Sequence, residues 1–365
     1  MYINDVFANQ TVVVTGHSGF KGSWLSLWLA QLGANVHGVS LEPPSDPSHF
    51  AAADLASQID NHRIDIRDGA SLNKLIEKKQ PDFVFHLAAQ ALVRPAYASP
   101  IDTWQTNAIG TINVLESLRL LKKPCIAIFI TSDKCYDNVE WVWGYRETDA
   151  LGGPDPYSAS KAAAELAIRS HIRSFFPADG LVRIAVGRAG NVIGGGDWAE
   201  DRIVPDCMRA WSRGEIVKLR NPLATRPWQH VLEPLSGYLN LAMSLKGDCQ
   251  LHGEPFNFGP PVRRNHSVGE LVSAMSDHWN QVRWKDVSVS HGGPYESGLL
   301  QLNSDKALHH LGWQATWDFE DTVRETAVWY KRFYENPSKS IADFSVHQIA
   351  SYLRAAQLQG IPWAQ

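Results

Sequence analysis

Tyr157 and Lys161 stand four residues apart at the head of a predicted helix, so a phenol and an ammonium share one face, one turn apart. A nearby ammonium favours the phenolate, and a phenol so poised takes or returns the proton of an alcohol. Upstream, Ser132-Asp133-Lys134 sets a hydroxyl, a carboxyl and an amine in succession after an apolar run. The end of such a strand in an open parallel sheet faces the ligand crevice. Near the start of the chain, Gly16, Gly19 and Gly22 in TGHSGFKG give a GxxGxxG spacing. Glycines so spaced permit a tight turn whose backbone N–H groups face a pyrophosphate at a helix N-terminus. Taken alone, YxxxK is common on surface helices and a glycine triplet can be a plain turn. The flanking elements decide.

Those elements alternate. Thr11 to Thr15 (TVVVT) reads as a strand buried on both faces, and Ser23 to Leu32 as a helix ended by Gly33. Ala34 to Leu41 returns to strand character. Asp82 to Leu87, Ile126 to Thr131 and Leu181 to Arg188 read as further strands, with helices over Asp102 to Leu121 and Tyr157 to Phe175. This pattern predicts an α/β fold, a doubly wound parallel Rossmann sheet over residues 1–187, with returns near 226–250. Residues 188–335 are expected to form mainly a smaller C-terminal substrate-binding lobe, with helices at Leu235 to Leu245, Val268 to Trp279 and Phe319 to Tyr334. The remainder, 336–365, reads as a partly helical tail with no assigned role.

Composition narrows the class. Lys and Arg number 34 against 38 Asp and Glu, a net charge of −4, so no general field attracts nucleic acid or an anionic membrane. Cys125, Cys135, Cys207 and Cys249 are scattered without a CxxC pair or a zinc-finger histidine spacing, so no disulfide framework or structural metal is expected. No apolar run reaches bilayer-spanning length, and the N-terminus lacks a basic leader, so a cytoplasmic location is expected.

The GxxGxxG spacing, YxxxK after the fifth predicted strand and HLAAQ at residues 86–90 together resemble the extended short-chain dehydrogenase/reductase family. The resemblance implies that NAD is the cofactor, held by Gly16, Gly19, Phe20, Gly22, Asp65, Ile66, Leu87, Ala88, Ala89, Tyr157 and Lys161. Asp65 would face the adenine and Lys161 the nicotinamide ribose. One departure stands out. An acidic residue is usual after the second strand for the adenosine ribose, whereas Ser40 occupies that position and Glu42 follows two residues later. No arginine is apparent there to favour a 2′-phosphate, which leaves NAD preferred over NADP.

Ser132 matches the family's active-site hydroxyl. Asp133-Lys134 resembles the acid–base pair of its sugar-nucleotide 4,6-dehydratases, which in the dTDP-glucose enzymes is Asp-Glu. Together with GHSGFKG, HLAAQALVRPAY and RAGNVIGGGDW, this pair is most similar to the branch that dehydrates CDP-glucose. On that resemblance Asp133 is the expected acid, and Lys134 is either the C5 base or an enolate-stabilising cation. The diphosphate would be met by placed arginines, with Arg188, Arg202 and Arg226 as candidates beside Asn191. Arg94 is expected near the sugar and Tyr295 at the nucleotide, while Trp198 and Trp228 are candidates to line the pocket. Relatives dimerise through helices corresponding to 102–121 and 157–175. Leu115, Leu118, Ala163, Ala164 and Ile168 suit that homodimer or, equally, packing on the sheet. The competing readings are a dTDP- or GDP-sugar dehydratase, a 4-epimerase and a non-catalytic dinucleotide-binding protein.

Overall fold

The computed structural model describes all residues except 1–2, 262–264, 281, 289–298 and 337. Tyr295 lies outside the described residues. Thr11–Thr15 forms β1. Its valines alternate between two cores, Val12 and Val14 facing one and Val13 the other, which is why the strand carries no polar face. Phe20–Gln31 forms α1, and Gly33 in the left-handed region (φ 76°) turns the chain into β2, Asn35–Ser40. β3 is Asp60–Arg63; α2, Gly69–Lys79, is capped by Asp68, whose side chain accepts from Ser71 N; β4 is Phe83–His86.

The helix expected over 102–121 is broken. α3, Pro100–Trp104, passes through a π-turn at Gln105–Ile109 into α4, Gly110–Leu118. Such bulges re-aim side chains and collect at functional sites. This one frames Asn107, whose amide donates to Gln90 O and Ser160 Oγ while its oxygen accepts from Gln90 N. β5 is Cys125–Ile130 and α5 is Pro156–Phe175, where Pro156 occupies the first turn and the Asp155 carboxylate accepts from Tyr157 N and Ser158 N. β6 follows at Val182–Ala189.

Beyond β6 the chain forms α6, Ile203–Ser212, and β7, Val217–Leu219, which pairs in parallel with Trp284–Asp286. It then returns to the sheet. α7, Leu232–Gly247, packs against β5 and β6, and β8, Pro255–Phe258, pairs with β6. That return runs past the expected 226–250. Among the described residues the sheet has seven strands in the order β8-β6-β5-β4-β1-β2-β3, every pairing parallel. The order reverses beside β1, the place where an open α/β sheet leaves a crevice at its strand ends.

α8 is Val268–Met275, α9 Phe319–Glu335 and α10 Ala342–Leu358. α10 belongs to the core, which corrects the reading of 336–365 as a tail. It packs on α1, and Tyr352, fully buried, donates its hydroxyl to Glu233 of α7 at 2.7 Å. No helix among the described residues is long and apolar enough to cross a membrane.

Candidate active site

The strand ends of β1, β4, β5 and β6 open onto one cavity of about 1260 Å³. Its floor begins at the glycine turn. Gly16 N donates to Val39 O at 2.7 Å and Gly19 N to Gly16 O at 3.1 Å, while Gly16 sits at φ 78°. A Cβ on Gly16 would lie 2.7 Å from Ala88 N, and one on Gly22 would lie 2.0 Å from Gly16 O. Only glycine allows these backbones to close up and leave the start of α1 bare for a pyrophosphate. Phe20, Ile66, Leu87, Ala88 and Ala89 line the same cavity, as does Asp65. The turn, the bare helix start and a cavity running from them to Tyr157 fit a dinucleotide.

His86 braces this floor, its ring nitrogens lying 2.7 Å from Thr15 Oγ1 and 3.0 Å from Thr111 Oγ1, and burial pulls its pKa down to about 3, so it is a neutral bridge. Asp65 is engaged by Arg67, whose hydrogen bonds hold its carboxyl below the usual range. At the second-strand position Ser40 donates to Ser18 Oγ at 2.8 Å. An arginine does reach this lip, contrary to the sequence reading: Arg63 arrives from β3, donates to Leu41 O at 2.8 Å and pairs with Glu42 at 3.0 Å. The neighbouring strand, invisible in local spacing, supplies it.

Deeper in the cavity, Ser132 ends the extended run and caps the turn Asp133–Cys135, accepting from Lys134 N at 3.2 Å and donating to Asp133 Oδ1 at 2.8 Å. Asp133, Lys134, Tyr157 and Lys161 all line the cavity with it. Lys134 is half-buried, and among the described residues no ion pair joins it to Asp133. Burial pushes the Tyr157 phenol up to about 12, opposed first by a hydrogen bond with Ser132 and also by the charge of Arg202. The leading influences toward phenolate are therefore Ser132 and Arg202, where the sequence had named Lys161. Burial pulls Lys161 down to about 8.

Lys21 escaped the sequence reading. It lines the cavity from the first turn of α1, and burial pulls it down to about 8 against the opposing pull of Asp133. Its place inside the glycine motif was the available signal.

The arginine candidates divide. Arg94, Arg202 and Arg226 line the cavity with Asn191; Arg94 pairs with Asp201 at 2.8 Å and Arg202 with Asp197 at 2.7 Å. Arg220, not singled out from sequence, lines it too and pairs with Asp201 at 3.1 Å. Arg188 is a correction. It lies outside the cavity, 3% exposed, with Nε and Nη2 on Glu165 and Nη1 on the Tyr136 hydroxyl and Glu147 O. Trp228 lines the cavity, whereas Trp198 is buried against Trp329 and Phe333. Leu115, Leu118, Ala164 and Ile168 are buried within the monomer, so the packing alternative holds for them. On the same helices Ile101, Trp104, Ile109 and Leu166 are exposed.

Residues 13–326 match the family model described as GDP-mannose 4,6 dehydratase. The chain is 42% identical over 360 residues to a CDP-glucose 4,6-dehydratase of Salmonella typhimurium, covering 97% of this chain and 99% of that one. Among solved structures it resembles a UDP-glucose 4-epimerase of Thermotoga maritima with UDP-glucose (TM-score 0.73, 23% identity, 88% of this chain and 99% of that one). It also resembles a UDP-glucose 4-epimerase of Brucella ovis in complex with NAD (TM-score 0.74, 22% identity, 88% and 98%). At that identity the two structures speak to the fold.

Proposed function

The chain belongs to the GDP-mannose 4,6-dehydratase family of extended short-chain dehydrogenase/reductases, and from that membership we propose that it is an NAD-dependent hydro-lyase converting CDP-glucose to CDP-4-keto-6-deoxyglucose and water. The observation that carries the reading is that Ser132, Asp133, Lys134, Tyr157 and Lys161 line one cavity. An alcohol-oxidising pair alone serves many reactions. A carboxyl and an amine beside it add the means to eliminate water.

The glycine turn, with Phe20, Leu87, Ala88 and Ala89, would hold NAD along its pyrophosphate and nicotinamide, with Asp65 and Ile66 at the adenine and Lys161 at the ribose. Bound there, NAD would supply the hydride acceptor for C4 and the hydride donor for C6, so no outside reductant would be consumed. Ser132 hydrogen-bonds O4 of the hexose while Tyr157 takes its proton. The resulting ketone acidifies the neighbouring C5–H. Lys134 removes that proton, Asp133 gives one to O6, and the C6–O bond breaks to release water. Lys134 then returns a proton to C5 as C6 is reduced, and the proton Tyr157 took from O4 replaces, through solvent, the one Asp133 gave to O6, so the net loss is one water.

Arg94, Arg202, Arg226 and Asn191 are the groups proposed for the sugar and diphosphate. The chain's near-neutral charge means that such local placement, and no general field, must hold the anion. The homodimer is proposed on the exposed Ile101 and Trp104 of α3, Ile109 of the π-turn and Leu166 of α5, a set of exposed apolar side chains.

Incubation with CDP-, dTDP-, UDP- and GDP-sugars in turn tests the reading. CDP-glucose is expected to lose one water by mass. Loss from a dTDP- or GDP-sugar instead moves the base specificity, an unchanged mass with inverted C4 points to epimerisation, and no turnover of any sugar refutes enzymatic activity on this class.

A further inference from the structure

Away from the cavity, the outer edge of the sheet carries a cluster that the reaction leaves unused. β2 and β3 pair in parallel with His37 opposite Asp60, and His62 stands two residues along β3 on the same face. His37 Nδ1 lies 2.8 Å and His62 Nε2 3.2 Å from the same oxygen, Asp60 Oδ2. The Lys79 ammonium, from the last turn of α2, lies 2.9 Å from it as well. One carboxylate oxygen offers two lone pairs, so three nitrogens oversubscribe it. The consequence is visible at His62: its Nε2 is sealed from solvent and, despite its nearness to Asp60, has no partner with hydrogen-bond geometry.

We propose that His37, Asp60 and His62 form a binding site for a divalent transition-metal ion of the zinc class, whose place the Lys79 ammonium holds in the metal-free protein. Two imidazoles and a carboxylate are a donor set suited to Zn²⁺ or Ni²⁺ and poor for Mg²⁺. The three ligand atoms lie within 4.8 Å of one another. Ligand atoms around tetrahedral zinc sit roughly 3.3 Å apart, so contractions of at most about 1.5 Å suffice. Lys79 is 24% exposed on a flexible stem and can swing to water, leaving the fourth position to solvent. The ion would fasten the edge strand β3 to β2 and, binding only the folded chain, would raise its stability. None of the four side chains lines the catalytic cavity, so the site is independent of the proposed reaction.

The test is calorimetric titration of chelator-stripped, NAD-loaded protein with ZnCl₂, NiCl₂ and MgCl₂, alongside thermal melts. Zinc and nickel are expected to bind at one equivalent and raise Tm, with magnesium silent. His62→Ala and Asp60→Asn should each weaken zinc by about tenfold or more. Lys79→Ala should tighten it, because the competing ammonium is gone, and this variant guards against mere misfolding of the others. Replacing His309 and His310, which lie beside β8 at the opposite edge of the sheet, by alanine should change nothing. Absence of one-equivalent binding, equal zinc affinity in the His62 and Asp60 variants, or no tightening in Lys79→Ala overturns the site.

Discussion

Arg188 grips Glu165 with two N–H···O bonds, Nε to Oε1 and Nη2 to Oε2, each 2.8 Å long, and both side chains are nearly sealed from solvent. Glu165 stands one turn beyond Lys161 on α5 and also accepts from Thr131, the residue before Ser132. The pair therefore ties α5, which carries Tyr157 and Lys161, to the strand end that presents Ser132 and Asp133.

Removing one partner leaves a buried charge unpaired. Arg188→Met should cost about 3–5 kcal/mol in urea denaturation. The folded fraction should bind CDP as the wild type does. A variant of wild-type stability with weakened CDP binding would return Arg188 to the diphosphate.

Tyr157→Phe keeps the ring in its buried seat and removes only the proton carrier. Turnover should fall by about 10²–10⁴-fold with CDP affinity unchanged by calorimetry. A smaller loss would assign the O4 proton to another group.

Lys134 on the turn and Lys21 on α1 both line the cavity with Asp133, whose charge acts on Lys21. With Lys134 as the C5 base, exchange of the C5 proton with solvent deuterium should vanish in Lys134→Ala and persist in Lys21→Ala. The reverse pattern would transfer the base to Lys21, whose amine burial already brings down to about 8.

Glu233 is fully buried and accepts from Thr316 N, Trp317 N and the Tyr352 hydroxyl, and burial pushes its pKa from 4.5 up to about 7. Its folded pKa is raised, so the contribution it makes when protonated is lost as pH climbs from about 4.5 through about 7, a slope worth about 3 kcal/mol in all. Glu233→Gln should be less stable at pH 5, where the amide cannot satisfy the same donors, yet flatter in stability from pH 5 to 8. An equal slope in both proteins would place the titration elsewhere.

The strands, the glycine turn and YxxxK were legible because each is a local pattern: β-branched runs, glycines between strand and helix, and two residues one helical turn apart. What failed was non-local. Arg188 sits in a motif, yet its guanidinium is claimed by Glu165 from another element. Arg63 reaches Leu41 and Glu42 at the end of β2 only because β3 pairs with β2. The π-turn at 105–109 interrupts a segment with unbroken helical patterning, and the burial of Tyr352 against Glu233 depends on segments 119 residues apart that meet only in the folded protein.

The most direct measurement follows a label. CDP-glucose carrying deuterium at C4 should yield, with NAD and no added reductant, a product one water lighter that is ketonic at C4 and holds the deuterium at C6. Retention of the C6 hydroxyl, or escape of the deuterium from C6, would contradict an internal redox cycle built around Tyr157, Asp133 and Lys134.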